Sequence, residues 1–305
     1  MAVITAWSAM PVIILGALTT TYGAGMAFPD WPTSDGQGMF SYPWLRLLDD
    51  ISTNSVSGHK LLEHSHRLAG IVVGISAILL MIVSWRPQTT KALKWLGAAV
   101  LLTVITQGLL GGFRVLAEET GLAMLHGLFA AIVFSLMCVT ATVSSTSWTQ
   151  WQPSETDRPA KLAKITSLLF LLFLLLQYSI GGLIRHPMPG MNAPVNSHLG
   201  FGILALLTVH VVLVFVVKTK TKWLRSAMRT MIILTSVQIV LGFVTYATKF
   251  GMGSMVVVEG STGQIFSRTT HMVVGVLLIA SATVLTVRCF RVEHIRKSNQ
   301  PTETT

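Results

Sequence analysis

Apolar positions along this chain do not alternate with polar ones. They run on in long blocks. Eight blocks are close to the roughly 20 apolar residues that cross a hydrocarbon core: about 9 to 27, 61 to 84, 95 to 113, 121 to 143, 165 to 184, 195 to 217, 229 to 248 and 267 to 287. Backbone amides inside a bilayer must be satisfied within their own segment, so each block predicts a helix. The pattern therefore predicts an all-α integral membrane protein with eight transmembrane helices. Residues 1 to 8 carry no charged side chain, so the first block lacks the basic start of a cleaved signal peptide and reads as a retained span. The longest connection, about 28 to 60, is a loop with Pro, Gly and Asp clusters, and the tail after Arg288 is short and polar.

Composition agrees: 51% of residues are hydrophobic and 11% charged, and the mean hydropathy is +0.64, values that do not suit a water-soluble domain. A net charge of +10 would suit nucleic acid, but no soluble basic fold is left to bind it, and no nucleic-acid partner is expected. The cations are sorted by membrane side instead. The even connections and the C-terminal tail hold fifteen Lys and Arg residues, among them Arg86, Lys94, Arg158, Lys220, Arg225, Arg288 and Lys297, whereas the odd connections hold six: Arg46, Lys60, Arg114, Arg185, Lys249 and Arg268. By the positive-inside rule both termini are cytoplasmic and the odd loops face outward. The expected setting is the bilayer of the plasma membrane, crossed many times. Of two cysteines, Cys138 lies in the fourth span and Cys289 at the end of the eighth. Neither is placed for an outer-loop disulfide, and Cys138 reads as a small packing residue.

Laying spans one to four on spans five to eight reveals a repeat. Gln107 and Gly111 match Gln238 and Gly242 at an offset of 131, and His66 and Gly70 match His198 and Gly202 at 132. His126 and His271 differ by 145, the longer loop before the eighth span taking up the difference. Four spans per unit keep the same orientation, so the expectation is two pseudo-symmetric four-helix bundles, residues 1–150 and 151–305, each carrying one histidine pair.

Ionisable side chains inside a bilayer are costly and usually functional. His66, His126, His198 and His271 all fall early in spans that run inward from the outer surface. Two neutral imidazoles facing each other across a bundle are the axial arrangement of a bis-His haem iron. The small residue four positions on (Gly70, Ala130, Gly202, Gly275) leaves room on that helix face for a flat macrocycle. Zinc is the competing metal, but a two-His pair lacks the further ligands of a tetrahedral site. His59 and His64, near the outer mouth of the first bundle, and His186, in the third outer loop, read as solvated rim or loop residues. His210 lies about 18 Å deeper than His198 with no deep histidine to pair with, and His294 belongs to the cytoplasmic tail.

The halves differ at Glu63, one turn before His66, where the second half has Val195. An ion pair with Arg67 at i,i+4 is one reading; a proton-handling group beside a bound substrate is the other. On the second reading the first bundle is the reaction site and the second the permanent cofactor site. Arg67, Arg114, Arg185 and Arg268 near the outer mouths are candidates to pair with haem propionates, or to snorkel at the interface.

The segment Thr20 to Asp35 with its Pro29-Asp30-Trp31-Pro32, the element Glu63 to Gly70 (EHSHRLAG), His126-Gly127, Asn196 to Gly200 (NSHLG) and His271 resemble the haem A synthase family along essentially all eight spans. The resemblance implies an oxidoreductase acting on a CH group, which oxidises the C8 methyl of haem O through successive hydroxylations to the formyl group of haem A for terminal oxidase assembly. It implies that His198 and His271 ligate a haem b cofactor, that His66 and His126 bind the substrate haem O, and that Glu63 is catalytic, with Arg67 at the binding site. Haem O synthase and an electron carrier are candidate partners. Many members carry a cysteine pair in the first outer loop; this sequence has none, so that loop must be ordered without a disulfide. A dihaem membrane cytochrome that only transfers electrons is the alternative, and a transporter built on the same repeat is a third reading.

Overall fold

A computed structural model describes residues 1–50, 55–190 and 194–298. Among the described residues eight helices are long and apolar enough to cross a membrane: α1 (Ala2–Thr21), α2 (Ser55–Ser84), α3 (Lys91–Ala117), α4 (Thr120–Val143), α5 (Lys161–Arg185), α6 (Val195–Lys218), α7 (Lys222–Phe250) and α8 (Thr262–Ser298). No strand occurs among the described residues, only an isolated bridge between Ser34 and Gln37. The protein is thus an all-helical, multi-pass membrane protein.

The helices outrun most of the apolar blocks, because polar residues continue the turn once the chain has reached the interface. With 37 residues, α8 is about 55 Å long at 1.5 Å per residue and projects well beyond the hydrocarbon core. The exception is α1, which begins at Ala2 and stops at Thr21, earlier than its apolar block. Gly23 takes a φ of +67°, a conformation glycine adopts without strain, and turns the chain into the first loop.

Within the first four helices α1 packs on α2, α2 on α3, α3 on α4, and α4 back on α1; α5 to α8 close the same cycle. The two sets meet through α4 against α8, α1 against α8 and α4 against α5. Small residues are buried along these helices, including Ala131, Ala205, Gly275, Ala280 and Ala282. Lipid offers no hydrophobic drive between helices, so close backbone approach has to supply dispersion contact. Hydroxyls are satisfied locally: Ser135, Thr140, Thr235 and Thr286 each donate to the carbonyl four residues back. Leu102 and Val240, 66% and 62% exposed, face outward to lipid. Exposed His210 points the same way, its Nδ1–H donating to the Leu206 carbonyl at 2.6 Å.

Beyond α1 the chain folds over the mouth of the first helix set. Asp30 accepts the N–H of Asp35 and Gly36 at 2.9 and 2.8 Å. Burial works against its charge, yet these amides and the Thr33 hydroxyl outweigh it and hold the carboxyl below its usual range. Trp31, joined to Pro32 by a cis peptide, lies on Gly112 of α3 so closely that a Cβ there would stand 2.4 Å from the indole. Lys60 pairs with Asp35 at 2.6 Å. The loop is therefore ordered by polar and aromatic anchors, and Cys138 and Cys289 stay free in the helices. Of the loop from 28 to 60, residues 51–54 lie outside the described residues.

Candidate functional site

Each set of four helices brings its two histidines together. The rings of His66 on α2 and His126 on α4 have centroids 6.4 Å apart with planes at 83°; those of His198 on α6 and His271 on α8 are 6.2 Å apart at 82°. An iron between two imidazoles, with metal–nitrogen bonds of about 2 Å and about 1 Å from nitrogen to ring centre, sets centroids about 6 Å apart. Both pairs fit that spacing, and planes at right angles are compatible with axial ligation. No group of three or more His, Cys, Asp or Glu that could hold a metal ion occurs among the described residues, so the donor set suits a macrocyclic iron and not a tetrahedral ion.

Four glycines seat the four rings. A Cβ on Gly16 of α1 would stand 2.8 Å from His66 Cε1, on Gly111 of α3 2.9 Å from that of His126, on Gly181 of α5 3.0 Å from that of His198, and on Gly242 of α7 3.1 Å from that of His271. Every imidazole thus packs its Cε1 edge onto a backbone where an added Cβ would force the ring to give way. Gly70, one turn past His66, has no heavy atom within 4 Å of an added Cβ, leaving open space on the ligand face. The room expected beside Gly202 and Gly275 is not open in the same way: an added Cβ would meet Gln177 Nε2 at 3.6 Å on Gly202, and Gln238 Nε2 at 3.3 Å and Tyr178 at 3.5 Å on Gly275. Gly111 and Gly242 were legible as repeat markers. Gly16 and Gly181 were missed, although Gln177-x-x-x-Gly181 repeats the spacing of Gln107-x-x-x-Gly111 and Gln238-x-x-x-Gly242.

The helix starts add to the placement of the histidines early in the apolar runs. His66, His126, His198 and His271 lie eleven, six, three and nine residues past the first residue of their helices. α2 and α8 extend outward beyond the apolar run, so their histidines sit two to three turns inside the helix.

Glu63 is 3% exposed. One carboxylate oxygen accepts from the Arg67 guanidinium at 2.6 Å; the other accepts the N–H of Ala27 at 2.7 Å and of Phe28 at 3.2 Å. Arg67 also donates to the carbonyls of Asp30 at 2.9 Å and Thr33 at 2.7 Å, and its guanidinium lies 5.2 Å from the centre of the Phe28 ring. The i,i+4 ion pair is therefore present, buried, and clamps the Pro29–Pro32 turn over the site one turn from His66. Arg114 donates to the Gly25 carbonyl at 3.0 Å. Arg185 crosses to α1, donating to the Ala17 carbonyl at 2.9 Å and the Thr21 hydroxyl at 2.8 Å, while Arg268 is half-buried. The second set has half-buried Val195 in place of the carboxylate.

His64 is not solvated, as its place near a helix mouth suggested. It is fully buried, its Nδ1 is 3.2 Å from the Ser34 hydroxyl, and Phe28, Tyr42 and Trp44 surround the ring. The loop folds over it, which the helix pattern alone does not reveal. His59 is half-buried. His186 follows α5 and is half-buried; burial, then the charges of Arg185 and Arg114, push its pKa down to about 4. His294 is exposed, as expected of a tail residue.

The profile of the family described as COX15-CtaA, cytochrome oxidase assembly protein, matches residues 1–198. Proteins named heme A synthase are similar: that of Shouchella clausii is 33% identical over 140 residues, 44% of this chain and 41% of the relative. That of Methylobacterium radiotolerans is 30% identical over 140 residues, 43% of this chain and 36% of the relative. The matched stretch thus spans less than half the length of these curated relatives. No solved structure matches the chain.

Proposed function

Since this chain belongs to the cytochrome oxidase assembly protein family, COX15-CtaA, we propose that it is a haem A synthase, an oxidoreductase that converts a methyl group of haem O to the formyl group of haem A. The observation that carries this reading is the pair of histidine pairs, 6.4 and 6.2 Å between ring centres, each on a glycine-cleared seat. Similarity to relatives named heme A synthase supports it.

In this reading residues 1–150 and 151–305 form two pseudo-symmetric bundles with different tasks. His66 and His126 hold the substrate haem O. His198 and His271 hold haem b, which when bound supplies one-electron transfer. The difference in surroundings supports this division, because the first bundle has the buried carboxylate of Glu63 one turn from its histidine where the second has Val195. Turning CH3 into CHO exchanges two hydrogens for one oxygen, so protons must leave the macrocycle edge. Glu63, one turn outward of His66, is the residue placed to hold or pass them. Arg67 fixes its orientation, and the pair keeps the Pro29–Pro32 turn closed over the mouth, excluding water. Arg114, Arg185 and Arg268, near the outer mouths of the two bundles, would be the cationic partners of the haem propionates. Both termini are assigned to the cytoplasm of a plasma-membrane protein by the fifteen-to-six charge division. An electron carrier and the enzyme supplying haem O are partners of this reaction.

The test is chemical. Membranes from cells that make haem O but lack haem A, supplied with this chain, should yield haem A on extraction and chromatography. Unchanged haem O alongside a purified protein that carries haem would favour the dihaem electron-transfer cytochrome instead.

A further inference from the structure

Between Asp157 and Glu259 the chain has no acidic residue, so the cations of α5, α6 and α7 meet no carboxylate on their own helices. Three of them share one face. Lys222, the first residue of α7, is followed by Arg225 and Arg229 at i+3 and i+7, which is one stripe of a helix. All three are exposed, and among the described residues none forms an ion pair. Arg225 reaches across to α6 and donates to the Val217 carbonyl at 3.2 Å. The stripe forms the charged rim of a cavity of about 420 Å³ between α6 and α7, whose other walls are apolar: Leu213, Val216, Val217, Met228 and Ile232. From Lys222 to Ile232 is ten residues, so the cleft runs about 15 Å from its charged end toward the middle of the bilayer. The start of α7 adds to the positive field. Thr221 at the N-cap gives the first amides no side-chain acceptor, leaving free N–H groups at the positive end of the helix dipole. Snorkelling accounts for cations at an interface but not for the cleft, because a gap between packed helices forfeits dispersion contact unless something fills it.

We propose that this cleft binds one anionic glycerophospholipid of the leaflet in which α7 begins, its phosphodiester held by Lys222, Arg225 and Arg229 and an acyl chain laid along Leu213, Val217 and Ile232. A basic pocket between membrane helices is the arrangement that holds acidic headgroups. Charge also selects among lipids, since the ammonium of a zwitterionic headgroup would be brought against three cations. The site shares no residue with the histidine pairs, so it goes beyond the haem reading and stands or falls apart from it.

The experiment uses the purified full chain in mixed micelles of phosphatidylglycerol and phosphatidylcholine, with native mass spectrometry reading which lipid stays attached. The parent should retain phosphatidylglycerol in preference. Arg225→Gln with Arg229→Gln should weaken that retention about thirtyfold, roughly fivefold for each cation removed from an anionic headgroup. Lys91→Gln with Lys94→Gln takes the same charge from the start of α3, four spans earlier and on the same side of the membrane but outside the cleft, and should change nothing. Ile232→Trp keeps every cation and fills the cleft, and should release the lipid too. Equal loss from the two charge pairs would reveal only diffuse attraction to a basic surface and would overturn the proposal. So would equal retention of both lipids by the parent. Where the Arg225 and Arg229 variant does not fold, Ile232→Trp decides: phosphatidylglycerol held at the parental level overturns the site, and its release supports it.

Discussion

At Glu63 both oxygens are occupied, one by Arg67 and the other by two amides of the loop, so its charge is held in place by structure before any substrate arrives. Two effects of removing it can be separated. Glu63→Gln should keep haem b but lose on the order of 10² to 10⁴ in haem A formation, accumulating haem O or a hydroxylated intermediate in extracts. It should also lower the melting temperature, because an unpaired buried cation costs about 3–5 kcal/mol. Adding Arg67→Met should restore much of the stability and none of the turnover. If turnover returns with stability, the carboxylate is only the anchor of the loop. A second residue gives a pH dependence. His186 has a pKa near 4 when folded against about 6.5 unfolded, so the unfolded chain takes up the proton first and stability is lost as pH falls from about 6.5 toward 4. Thermal melts across that range should slope downward with acidity, and His186→Gln should flatten the slope; an unaltered slope would remove His186 from the account.

Elements set the seats on which those residues work. The eight helices were legible because a bilayer demands long apolar runs, and the His pairs because histidine is costly there. Helix ends were not, since α2 and α8 continue through polar residues that no longer carry the apolar signal. Nor were Gly16 and Gly181: glycine is common in transmembrane helices, and its partner here lies on another helix, His66 fifty residues away and His198 seventeen. His64 reads as a rim residue until Phe28, Tyr42 and Trp44 are seen to enclose it. The glycine seats give a prediction at this scale. Gly181→Ala places a Cβ 3.0 Å from His198 Cε1, and overpacking of that kind costs about 1–3 kcal/mol. The ring should shift and haem b content fall, while binding of haem O in the other bundle persists. Full haem b occupancy in Gly181→Ala, read from the reduced-minus-oxidised spectrum, would show that the seat is not needed.

For the whole molecule, orientation comes first. A reporter active only outside the cytoplasm should be active when fused after Gly38 and silent after Lys220; the reverse would place all four histidines on the cytoplasmic side. The equivalent fusion after Met191 falls outside the described residues. The central claim is that one fold, used twice, holds a permanent haem in one bundle and a substrate haem in the other. Visible spectra of the purified parent, His198→Ala and His66→Ala, with the extracted haems identified, test it most directly. The account predicts a low-spin haem b signal in the parent, its loss in His198→Ala because one axial imidazole is gone, and its survival in His66→Ala together with failure to process haem O. A colourless parent, or equal loss of haem b from both variants, would contradict it.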